Sequence, residues 1–146
     1  MFEAIYVPVQ TVNNGSDILL QNSIRCPKGR VLLREGSGVL TLKGPSPCNS
    51  CNRFSRYQVT LNGNMAVPTT GTAGPIEVTL VINGGDVQSS KAIVTPAAVD
   101  EYFNFTVTAV IDVPNGCCAN VTFRNTSDAD AAINTQNINV VVDQRA

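Results

Sequence analysis

The chain has 146 residues, of which 43% are apolar and 14% charged, with a formal net charge of −1 and no histidine. That length suits one ordinary domain with a real core, read here as a single domain over 1–146. The near-neutral balance leaves no electrostatic footprint for nucleic acid or an acidic membrane surface, and the missing histidine removes Ser-His-Asp and Cys-His catalysis along with the commonest transition-metal ligand.

The charged share is well below the roughly 25% of an average globular protein. The surface is therefore built from neutral polar groups. Asn and Thr are abundant, and both suit turns and solvent-facing strand positions. A weakly charged surface tolerates close packing against copies of itself. The opening MFEAIYVPVQ has no basic stretch followed by a long apolar one, so no signal peptide is expected. No run of about 18 apolar residues occurs, so no membrane span is expected.

In chain order, the first strands are expected near 4–12, 17–25, 30–35 and 39–43. Asn13-Asn14-Gly15-Ser16 and Gly36-Ser37-Gly38 supply turns between them. Gly44 to Asn52 (GPSPCNSCN) reads as a loop. Alternation over Tyr57–Leu61 predicts a strand at 54–61, closed by a turn at Asn62-Gly63-Asn64. After a loop at Val67–Pro75, Ile76, Val78, Leu80 and Ile82 alternate with Glu77, Thr79, Val81 and Asn83, predicting a strand at 76–83. Asn83-Gly84-Gly85-Asp86 ends it. A short strand is expected at 91–95, and Ala97–Tyr102 has room for one helical turn at most.

The longest alternating run follows. Phe103, Phe105, Val107, Ala109, Ile111 and Val113 share one face of a strand at 102–113, with Asn104, Thr106, Thr108 and Asp112 on the other. Pro114-Asn115-Gly116 turns the chain into strands at 119–125 and 137–143. Phe103, Phe105 and Phe123 are expected in the core. Many short strands with regular turns predict an all-β sandwich or barrel, here a jelly-roll β-sandwich of about ten strands.

The cysteines are the informative polar feature. Cys26 stands alone, Cys48-x-x-Cys51 lies in the Pro-flanked loop, and Cys117-Cys118 follows Asn115-Gly116. They could form disulfides or inter-subunit crosslinks, stay as buried reduced thiols, or hold zinc through thiolates. Zinc is disfavoured, because a second CxxC is absent and neighbouring cysteines point to opposite faces of a strand. An odd count leaves one thiol over or one intermolecular bond. No GxxxxGK[ST] or GxGxxG occurs, so no nucleotide cofactor is expected. Asp100-Glu101 and Asp128/Asp130 read as solvated loop acids. Asn104-Phe-Thr106, Asn120-Val-Thr122 and Asn125-Thr-Ser127 match the glycosylation pattern, but an Asn- and Thr-rich chain produces such matches by chance.

From Ile76 onward the order IEVTLVINGG, IVTP, FNFTVTAVIDVPNGCCANVTF and INVVV resembles the C-terminal half of C1q/TNF-like jelly rolls. The nearest type is the bacterial form at the tips of spore-surface collagen-like glycoproteins. The resemblance implies a ten-strand jelly roll and a homotrimer around a three-fold axis. Two departures stand out: no Gly-X-Y stretch precedes the jelly roll, and the family does not require the five cysteines. Compact jelly rolls of this size are also similar to trimeric decoration proteins of tailed-phage heads. The expected function is therefore a non-catalytic structural protein on a virion surface, made in the cytoplasm. Its expected partners are itself and the major capsid or another shell protein, with no cofactor, nucleic acid or membrane. The alternatives are a spore-surface or exosporium protein crosslinked by its cysteines, and a glycan- or receptor-binding module.

Overall fold

The computed structural model describes residues 2–22, 31–33, 37–45, 54–114, 118–127 and 132–144. The described strands are β1 (Phe2–Tyr6), β2 (Gln10–Val12), β3 (Gln21–Asn22), β4 (Val31–Leu33), β5 (Leu40–Lys43), β6 (Phe54–Ala66), β7 (Ile76–Ile82), β8 (Gly85–Val94), β9 (Phe103–Pro114), β10 (Cys118–Asn125) and β11 (Ile133–Gln144). They form two antiparallel sheets. Sheet one runs β3-β1-β11-β6-β9, and sheet two runs β4-β5-β10-β7-β8. Because β2 also pairs with β11, beyond the end of β1, it extends that position, and each sheet has five strand positions. The all-β sandwich of ten positions is the one expected from the alternation.

The core lies between the sheets. Val59, Leu61, Val107, Val140 and Val142 from sheet one meet Leu40, Leu42, Val78, Leu80, Val121 and Phe123 from sheet two, all essentially without solvent contact. Burying each such side chain contributes about 1.5–3 kcal/mol. Tyr57 is fully buried, and its hydroxyl donates to the Lys43 carbonyl, tying β6 of one sheet to the end of β5 in the other.

A buried Asn performs a similar task at the opposite end. Asn125 Nδ2 donates to the Val12 carbonyl at 2.9 Å, and its Oδ1 accepts from the Ser127 amide at 3.0 Å. Its backbone exchanges two bonds with Gly15 and Ser16, so the expected 13–16 turn is held against β10. Gly15 there has φ +79°, a conformation that favours glycine. The Asn83-Gly84 turn has φ +50° and +85°, the pair of positive values that a two-residue hairpin between twisted strands requires.

Five expectations need correction. The 4–12 strand breaks at Val7-Pro8-Val9, since Pro8 has no N–H for the ladder. Of the expected 17–25 strand, the described residues 17–22 hold only β3, because 15–18 bonds to β10 instead, and 23–25 lie outside the described residues. Asn62-Gly63-Asn64 is no turn; β6 runs straight through it. Glycine there makes room for Ile138: a Cβ on Gly63 would sit 2.5 Å from Ile138 Cδ1, so the Ile138 side chain would have to shift. Ile138 presses inward beside the bulge in β11, where Asn137 takes φ +54°. Strand β8 starts at Gly85, not at 91. It was hidden because Val87–Ser90 form a bulge opposite Leu80 alone, which destroys the alternation. Finally, Phe103 is 37% exposed at the start of β9, whereas Phe105 and Phe123 are buried. No helical turn forms at 97–102; Asp100 adopts φ +59° in a turn there.

Two substitutions probe this packing in opposite directions. A Cβ on Gly38 would lie 2.1 Å from the Ile18 carbonyl oxygen, so Gly38→Ala is expected to cost about 2 kcal/mol or more by urea unfolding. The Thr135 hydroxyl is buried without a hydrogen-bond partner, so Thr135→Val is expected to gain about 1 kcal/mol. A stabilised Gly38 variant or a destabilised Thr135 variant would contradict the packing described.

Candidate functional site

The cysteine end of the molecule is defined by described strand ends. Lys43 is in register with Cys118, Val31 with Leu42, and Phe54 with Pro114. Strand β3 runs toward the same end along β1. The described residues that flank all three cysteine-bearing stretches therefore share one end of the sandwich. Cys118 is exposed at the first position of β10. Cys26, Cys48, Cys51 and Cys117 lie outside the described residues, as do Asp128 and Asp130. Asp100 and Glu101 are exposed in their turn, as the sequence suggests.

The outer face of sheet one is an ordered array of neutral polar side chains. Register places Gln136, Asn64 and Asn104 in one row across β11, β6 and β9. Asn139, Asn62 and Thr106 form the next, and Val141, Thr60 and Thr108 the third. Asn104 Nδ2 donates to Asn62 Oδ1 (3.2 Å), to the Gly63 carbonyl (3.1 Å) and to Asn64 Oδ1 (3.4 Å). Thr106 Oγ1 donates to Asn62 Oδ1 at 3.4 Å. Thr108 donates to the Val59 carbonyl, so the Thr60 hydroxyl is the donor to Thr108 at 3.2 Å. Above the first row Thr11 donates to Asn134 at 2.7 Å. Burial pushes the neighbouring Tyr102 phenol up, and Asp100 adds to the effect.

The charged side chains of this face lie around these rows: Glu3 of β1 beside Val141, Asp143 beside Gln58, and an ion pair at the far end. Arg56 grips Asp112 with two parallel bonds, Nε–Oδ1 2.8 Å and Nη2–Oδ2 3.0 Å, and lies over the Phe54 ring. Most other described charge sits on sheet two. Arg124 lies 3.5 Å from Asp17 and 3.8 Å from Asp86, and Lys91 lies 3.5 Å from Glu77. Among the described residues no group of three His, Cys, Asp or Glu side chains could hold a metal ion, and no helix is long and apolar enough to cross a membrane.

The exposed apolar side chains are sorted by flank. Val7, Val9, Leu19 and Leu32 lie on or beside β1–β4 at one flank of the sandwich. Ile93, Val99, Phe103 and Val110 lie on or between β8 and β9 at the other. Ile93 and Val110 are each 62% exposed. The ninth such residue is Phe54, under Arg56. Strands β8 and β9 meet through Ser90 Oγ, which donates to the Thr108 carbonyl at 3.0 Å.

Sheet order and strand pairing can now be compared with known structures. A tumour necrosis factor of *S. frugiperda*, Eiger, superimposes with a TM-score of 0.69 at 10% identity, covering 99% of this chain and 92% of that one. The globular domain of zebrafish complement 1qA gives 0.60 at 8% identity, over 96% and 94%. Murine APRIL gives 0.53 at 10% identity, over 93% and 98%. The fold is C1q/TNF-like. This agrees with the fold expected from the second half of the sequence and extends it across the first half. No family model matches the sequence, and no curated protein matches it either.

The sequence put Asn104, Thr106 and Thr108 on one outward face but not opposite Asn64, Asn62 and Thr60, and it did not reveal the two apolar flanks. Asn62-Gly63-Asn64 carries the signature of a turn, and flank position depends on sheet order. One electrostatic feature is directly measurable. The hydrogen bond from Arg56 holds the Asp112 carboxyl below its ordinary range. A folded pKa below the unfolded one gives a contribution present above about pH 4 and lost as pH falls through the folded value. Carboxyl NMR titration is expected to place the Asp112 midpoint below the ordinary aspartate range, and Arg56→Gln is expected to raise it.

Proposed function

We propose that the chain is a non-catalytic structural protein of a particle surface: a capsid decoration protein that assembles as a homotrimer on the virion and docks on the major capsid or another shell protein. The observation that carries this reading is the division of exposed apolar side chains between two opposite flanks. A dimer with two-fold symmetry uses one patch twice. Two different patches on opposite flanks make a head-to-tail contact, which closes into a ring at the right rotation. The likeness to C1q/TNF-like jelly rolls favours three copies. Ring closure also covers the outer edges of β8 and β9, which would otherwise be open to further strand pairing.

The cysteines have a place in the same reading. Strand ends converging on the end that carries Cys118 favour a crosslink there, within one chain or between copies. A crosslinked spore shell is the second reading, and this convergence is what favours it. Both readings put the chain in an assembled surface layer.

Val9→Glu and Val110→Glu, one on each flank, are expected to give monomers by native mass measurement, whereas the parent chain gives a trimer. Mixing the two variants restores one parental contact and is expected to yield a heterodimer. A monomeric parent chain, or a mixture that stays monomeric, would sink the ring. Comparing the same masses with and without reductant reports the crosslink. Finding the chain on purified virions but not on spores decides between the two surfaces.

A further inference from the structure

We draw no further inference here: the strongest candidate, the end of the sandwich where the exposed Cys118 of β10 stands opposite Lys43 of β5, carries none, because Cys26, Cys48, Cys51 and Cys117 lie outside the described residues and one exposed thiol alone points to no ligand.

Discussion

Strand β6 is paired on both sides, to β9 from Phe54 to Met65 and to β11 over much of its length. A strand held from two sides cannot slip by one residue without turning every side chain to the wrong face. That constraint sets the rest of sheet one. Tyr57, Val59 and Leu61 must point inward, so Gln58, Thr60 and Asn62 must point outward. The same register sets Asn64 opposite Asn104, Thr60 opposite Thr108 and Arg56 opposite Asp112. The neutral array follows from a core requirement on the opposite face of the same strands.

The two sheets handle polarity differently. Sheet two gathers its charges into short alternating rows, where half-exposed pairs contribute little stability in water. Sheet one keeps its central rows neutral and satisfies them by cross-strand bonds among Asn and Thr, the type of pair that stabilises neighbouring strands by a few tenths of a kcal/mol to about 1 kcal/mol. The apolar side chains that remain exposed are displaced to the flanks. Faces and flanks are thus chemically distinct, which gives a weakly charged chain directional contact surfaces.

Much of the fold was legible because alternation survives wherever a strand has one wet face. β9 and β11 show it almost without interruption, and the 13–16 and 83–84 turns are where their residues place them. The failures have local physical causes. Gly63 serves a close approach by Ile138, although its neighbours spell a turn. Four residues of β8 face one residue of β7, so the period is lost. Thr79 and Val81, on the expected wet side of β7, are buried, so that strand has two dry sides. The candidate sites were less legible. Cysteine positions are plain in the sequence, but the shared end of the described residues that flank them appears only once Lys43 is opposite Cys118. The split of Val9 from Val110 appears only once β2 and β9 lie on opposite sides of β11 and β6 in one sheet.

The pairing of β1 with β11 has a consequence for how the chain is made. Phe2 lies opposite Val142, and Ala4 opposite Val140. Of the described strands, the one synthesised first thus waits for the one synthesised last. Sheet one cannot form across its middle until β11 has left the ribosome, because β11 also separates β1 from β6. Loop closure across nearly the whole chain precedes that contact, which makes folding late and slow compared with a chain of local hairpins. During that wait β6 and β9 can pair as a ribbon with one apolar face uncovered, a transient surface open to chaperones and to premature association with other copies.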